Sequence, residues 1–125
     1  MTTPLDVLGN AEYVLLTTFR KDGTAVPTPV WVVRVGDELR VWSNPSAGKM
    51  KRIRRSGRVQ LAPCTVRGKP RGRSVDGVAK LLPDAETRPV LQLLVAKYGL
   101  LGFFSTLGPR YFGVPGAAVA IRVSD

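Results

Sequence analysis

The alternation of apolar and polar positions changes along the chain, and each change marks an element. Residues 13–19, Tyr-Val-Leu-Leu-Thr-Thr-Phe, are β-branched, aromatic or aliphatic throughout, which predicts a strand. Lys21-Asp22-Gly23-Thr24 follows, and Asp-Gly between strand-like runs predicts a tight hairpin turn. A second strand is expected from about Ala25 to Val35. Pro27 and Pro29 lie in its first half; proline has no N–H for the ladder, so that half belongs on an edge or a bulge. Gly36-Asp37 turns the chain into a third strand, Leu39 to Ser43. Arg58 to Val66, Ser74 to Leu82 and Ala117 to Val123 read as further strands, six in all.

Helices are expected at three places. Thr3-Pro4-Leu5-Asp6 has a capping residue and proline at the first helical position, so a short helix should run to about Leu8 and stop at Gly9-Asn10. Ser43, Asn44, Pro45 and Ser46 break the third strand and offer capping oxygens ahead of a short basic segment, Lys49, Lys51, Arg52, Arg54 and Arg55. The longest helix starts after Pro83-Asp84. Leu91, Leu94, Val95 and Tyr98 fall at i, i+3, i+4 and i+7 and give it one apolar face. Pro89 is tolerated only in its first turns, and Gly99 is a natural C-cap. Residues 100–115, rich in Gly, Pro and aromatics, carry no clear local pattern. Six strands with turn punctuation and short helices predict one small β-barrel plugged by helices, a single domain over residues 1–125.

Composition narrows the chemistry. The chain has 125 residues, is 44% hydrophobic and carries a net charge of +10, so it is globular and suited to polyanionic partners: nucleic acid, an acidic membrane or a phosphorylated cofactor. It has one cysteine, Cys64, and no histidine. An intrachain disulfide, a Ser-His-Asp or Cys-His nucleophile, and a zinc or haem site with imidazole ligands are all excluded. No metal site is expected. Any catalysis must come from a cofactor or from Lys, Tyr, Asp or Glu. The N-terminus has no basic and apolar leader pattern, and no apolar run reaches the roughly 18 residues of a membrane span. A cytoplasmic protein without a membrane span is expected.

Those numbers direct attention to residues 41–61, which read as strand, cap, short basic helix, strand. The start of a helix presents free N–H groups and the positive end of the dipole, and hydroxyls and lysines are added at the same place. That combination suits a phosphate. A solvated basic helix that binds nothing would show the same residues.

Three segments carry a family resemblance. They are residues 13–19 with Asp22-Gly23-Thr24; Pro27-Thr28-Pro29-Val30-Trp31-Val32; and Val41-Trp42-Ser43 followed by residues 48–55 and Gly57-Arg58-Val59. In this order and spacing the chain resembles the flavin-reductase-like split-barrel superfamily. Within it, it resembles the pyridoxamine-phosphate-oxidase-like proteins that use the deazaflavin coenzyme F420. The resemblance implies a mainly β fold, a six-stranded split β-barrel with short helices. It also implies a homodimer with a cofactor groove at the interface, and hydride transfer between the deazaflavin and a small organic substrate. The strand at Pro29, Val30 and Trp31 would flank the ring system. Ser43, Asn44, Lys49, Met50, Lys51 and Arg55 would hold the phosphate side. FMN is the alternative cofactor, a non-catalytic cofactor carrier the alternative activity, and a small basic nucleic-acid-binding barrel a weaker one. No catalytic residue is identified.

Several residues keep two readings. Lys49 and Lys51 are phosphate donors or surface lysines, with the first favoured. A short helix cannot aim every cation at one groove, so Arg54 and Arg55 can point elsewhere. Trp31 and Trp42 either stack near the ring or pack in the core. Lys69, Arg71 and Arg73 either reach an acidic cofactor tail or form a solvated loop. Tyr111 and Phe112 are expected mainly to pack, and Cys64 to be a small buried residue.

Overall fold

The computed structural model describes residues 3–43, 48–102 and 117–124. The chain forms α1 (Pro4–Asn10), β1 (Tyr13–Phe19), β2 (Ala25–Val30), β3 (Val33–Val35), β4 (Glu38–Ser43), α2 (Gly48–Arg55), β5 (Arg58–Cys64), β6 (Val75–Leu81), α3 (Thr87–Gly102) and β7 (Ala117–Val123). A 3₁₀ turn, Asp84–Glu86, leads into α3. Local chemistry explains the first of these. Thr3 caps α1 through its hydroxyl, which accepts from the Asp6 N–H, and the Asp6 carboxylate accepts from the Thr3 N–H in return.

The strands form one antiparallel sheet in the order β2-β1-β5-β6-β7-β4-β3. β2 and β3 lie at opposite ends of that order, yet only Trp31 and Val32 separate them in the chain. The sheet therefore curls until its two edges meet at this dipeptide, which is a split barrel. The expected split barrel is observed, with seven strands among the described residues where six are expected. The run from Ala25 to Val35 is not one strand but two, each on its own edge. Pro27 and Pro29 lie on the β2 edge opposite Thr17 and Leu15, as their missing N–H groups require.

The barrel interior follows the two-residue period. Val14, Leu16 and Thr18 of β1, Leu39 and Val41 of β4, Val59 and Leu61 of β5, and Val119 and Ile121 of β7 are buried. Leu8 of α1 and Met50 and Ile53 of α2 join this core, so both short helices act as plugs. A buried aliphatic side chain of this kind contributes about 1.5–3 kcal/mol. A second cluster lies under α3: Val33, Val90, Leu94 and Ala118, with Trp31, Trp42 and Tyr98 packed against it. Gly99 has φ 83°, so regular α3 breaks there, as the expected C-cap position implied, and helical turns resume to Gly102. Cys64 is buried in β5, and burial pushes its thiol above the ordinary 9.0.

Candidate functional site

The end of β4 and the helix that follows it form the basic feature. β4 closes with Trp42 opposite Ala118 and Ser43 opposite Ala117. α2 then runs from Gly48 to Arg55. Met50 and Ile53, three residues apart, point into the barrel, while Lys51, Arg54 and Arg55 are exposed and Lys49 and Arg52 are half-buried.

The arginines of this helix are occupied by the fold. Arg52 Nε donates to the buried Thr18 hydroxyl at 2.6 Å. Its guanidinium lies over the start of the helix, where a Cβ on Gly48 would sit 2.9 Å from Nη1. Arg55 donates to the Phe19 carbonyl. Arg58, one turn further, stands over the Phe19 ring at 4.2 Å. Positions 52, 55 and 58 thus fasten α2 and the start of β5 to the end of β1.

The lysines follow a different rule. The first turn of α2 holds no acidic residue and carries Lys49 and Lys51. Positive charge there opposes the helix dipole, and the Arg52 guanidinium, folded back over Gly48, adds to it, whereas Arg54 and Arg55 belong to the last turn, where positive charge agrees with the dipole. A bound anion would relieve that conflict, because the N–H groups at a helix start and both ammonium groups favour negative charge at the same end.

The other expected site residues are distributed as follows. Pro29 is exposed on the β2 edge, and Val30 is buried beside Val14. Trp31 lies at the seam, stacked on Tyr98 with ring centroids 4.3 Å apart and planes 3° from parallel. The register Val33↔Arg40, continued outward, brings Trp31 towards Trp42 at the end of β4, and both pack in the α3 cluster. The structure therefore gathers Trp31, Trp42 and Ser43 at the end of the sheet from which α2 departs. The Met50 side chain is fully buried in the core, so only its main chain remains for a ligand. Asn44, Tyr111 and Phe112 lie outside the described residues.

Two side chains that hold the seam were not singled out by local sequence. Val32, fully buried, belongs to neither β2 nor β3. Its N–H donates to Tyr98 Oη at 3.2 Å, and its carbonyl accepts from Lys97 Nζ at 2.8 Å and from Tyr98 Oη at 3.1 Å. Tyr98 Oη also lies 2.7 Å from the Glu12 carbonyl, and Lys97 Nζ donates to the Gly9 and Ala11 carbonyls at 3.0 and 2.9 Å. Side chains of α3 thus replace the ladder where the strand breaks. Burial raises the Tyr98 phenol to about 12 and lowers the Lys97 amine from 10.5. Tyr98 stood out in sequence only as part of an apolar face, and nothing local marked Lys97. Trp31 Nε1 is buried and has no hydrogen-bond partner among the described residues.

No family model and no curated relative matches the chain. Solved structures do. An F420 reductase superposes with TM-score 0.70 at 21% identity, covering 95% of this chain and 91% of that one. A putative pyridoxamine 5'-phosphate oxidase from Listeria innocua gives 0.66 at 14%, covering 97% and 90%. A FAD-binding protein from Mesorhizobium loti gives 0.62 at 20%, covering 95% and 84%. At these identities the likeness establishes the fold. The chain has the split-barrel fold of the pyridoxamine-phosphate-oxidase-like proteins.

Proposed function

We propose that this chain is an oxidoreductase that uses a phosphorylated flavin-type cofactor, coenzyme F420 in preference to FMN, and works as a homodimer with the cofactor groove between subunits. The observation that carries the reading is the first turn of α2, which contains Lys49 and Lys51, set against the helix dipole, and no acidic residue of its own. The F420 reductase and the FAD-binding protein on the same fold support it.

The residues present suit such a group. Lys49, Lys51 and the first N–H groups of α2 would hold the phosphate through charge-assisted hydrogen bonds. Trp31 would flank the ring system, and its orphaned Nε1 offers a donor there. Tyr98 and Lys97 fix the seam that carries Trp31. The bound cofactor would supply the hydride chemistry. The chain has no histidine, so its own residues bind and orient, and a proton can come from solvent or from a tyrosine. A nucleic-acid barrel is disfavoured, because Trp31, Trp42 and Tyr98 pack against a buried cluster instead of forming an open stacking face.

Fluorescence titration with coenzyme F420 and with FMN, side by side at fixed salt, tests the reading. Tighter F420 binding is expected. Equal or reversed affinities reject the F420 preference, and no binding of either rejects the function. Light scattering should return a dimer; a stable 13.5 kDa monomer at micromolar concentration rejects the shared groove.

A further inference from the structure

The fold gathers cations from three separate elements at one corner of the sheet. Arg20, Lys21, Arg54, Arg55, Arg58 and Lys80 are all exposed there. Arg20 and Lys21 belong to the turn after β1, closed by the Arg20 N–H donating to the Thr24 carbonyl at 2.9 Å. Arg54 and Arg55 lie in the last turn of α2, and Arg55 donates to the Phe19 carbonyl, directly before that β1 turn. Arg58 stands over the Phe19 ring at 4.2 Å and lies opposite Val78 of β6. Lys80 is two residues along from Val78, so it faces the same side of the sheet. Diagonal neighbours such as Arg58 and Lys80 lie about 7–8 Å apart.

Two carboxylates border this corner, and both are engaged. Asp22 accepts from the Thr24 N–H at 3.0 Å, and Asp76 accepts from Gln60 Nε2 at 3.2 Å. Among the described residues, no carboxylate forms an ion pair with Arg20, Lys21, Arg55, Arg58 or Lys80. Elsewhere on the sheet Arg34, Arg40 and Arg122 are paired with Asp6, Glu38 and Asp37. An apolar side chain stands among the cations: Val78 is 64% exposed.

We infer that this corner docks the protein on an anionic phospholipid surface, with the cations against phosphate headgroups and Val78 against the acyl boundary. Charge complementarity carries the inference, and the details favour lipid over nucleic acid. The aromatic ring at the corner, Phe19, is half-buried beneath Arg58, so no base can stack on it. Headgroups move laterally to meet cations that the fold holds in place, and an exposed valine finds an apolar layer at a bilayer. The corner lies at the last turn of α2, whereas Lys49 and Lys51 belong to its first. The loop joining β5 to β6 takes no part. It starts at the other end of β5, about 20 Å away, well beyond the screening length of about 10 Å at 0.1 M salt. The inference does not depend on the proposed function.

The test is co-sedimentation of the full chain with vesicles of phosphatidylglycerol and phosphatidylcholine in equal parts, and with vesicles of phosphatidylcholine alone. Binding to the anionic vesicles only is expected, and it should fall as salt rises past about 0.1 M. Replacing Arg20, Lys21 and Lys80 together by glutamine should weaken it about fivefold per charge, about a hundredfold in all. Val78→Asp keeps every cation and sets a negative charge among them, so it should also weaken binding. Replacing Arg67, Lys69 and Arg73 by glutamine removes the same charge from the distant loop and should leave binding within about threefold of the parent. Thermal melts of every variant verify folding. Equal binding to neutral vesicles overturns the inference, as does a corner triple variant that binds like the parent. A loop triple variant that weakens binding as much as the corner one overturns it too, since net charge alone would then be acting. Tighter binding to duplex DNA than to the anionic vesicles at the same salt assigns the corner to nucleic acid, and displacement from the vesicles by coenzyme F420 assigns it to that ligand; either result overturns the inference.

Discussion

Tyr98→Phe isolates the hydrogen bonds that hold the seam. The substitution keeps the ring, and with it the stack on Trp31 at 4.3 Å, and removes only the hydroxyl. The buried Val32 N–H then loses its acceptor at 3.2 Å, and the Glu12 carbonyl loses a partner at 2.7 Å. The Val32 carbonyl keeps Lys97, so the unmet group is one buried N–H. Leaving such a group unsatisfied costs about 1–3 kcal/mol, and about 2 kcal/mol is expected here. For a chain of 125 residues the unfolding entropy is about 0.26 kcal/mol/K, so Tm should fall by about 8 °C. The urea m-value should not change, because the surface exposed on unfolding is the same. The pH dependence adds a second readout. Burial raises the Tyr98 phenol from 10.0 to about 12. Between those values the folded state keeps a proton that the unfolded state has lost, so stability falls as pH rises. The parent's advantage over Tyr98→Phe should be complete below pH 10.0 and shrink as the pH climbs towards about 12. A variant that melts within about 2 °C of the parent would refute the reasoning, since a loss that small means the Val32 N–H is satisfied some other way.

Further predictions concern the α2 region. Gly57→Ala should cost about 2–3 kcal/mol by denaturant midpoint, as over-packing of this kind does. Its Cβ would sit 2.6 Å from the Ala79 carbonyl oxygen, in a ladder where the Ala79 N–H donates to the Gly57 carbonyl at 2.7 Å. Arg52→Ala should destabilise by about 1–2 kcal/mol through loss of the Thr18 bond, with faster amide exchange in α2 as its local signature. Lys49→Ala should weaken cofactor binding about tenfold to a hundredfold, the worth of one charge-assisted hydrogen bond, and Lys49→Glu should weaken it more. Neither should move Tm appreciably, and Arg88→Ala, on α3, should leave cofactor affinity unchanged; a Lys49→Glu variant that binds like the parent would place the phosphate elsewhere.

Much of the secondary structure was legible locally. Thr3-Pro4 and Asp6 announce α1, Asp22-Gly23 announces the first hairpin, and the apolar alternation of residues 13–19 announces β1, because capping, turn dihedrals and strand periodicity are properties of a few adjacent residues. Pro27 and Pro29 identified an edge by the hydrogen bonds they cannot make. The same rules could not divide Ala25–Val35. Whether that run is one strand or two depends on how far the whole sheet curls, since only closure brings β3 to β4 and leaves β2 beside β1. The arginines of α2 and Met50 were ambiguous for a related reason. Composition supplied the charge, but only the packed position of the helix on β1 decided that Arg52 and Arg55 fasten the fold and that Met50 fills the core. The seam lies furthest from local reading. Val32 is satisfied by Tyr98, 66 residues away in sequence, and by Lys97, 65 residues away. A buried peptide group must find partners, yet nothing in its own neighbourhood says from which part of the chain they come.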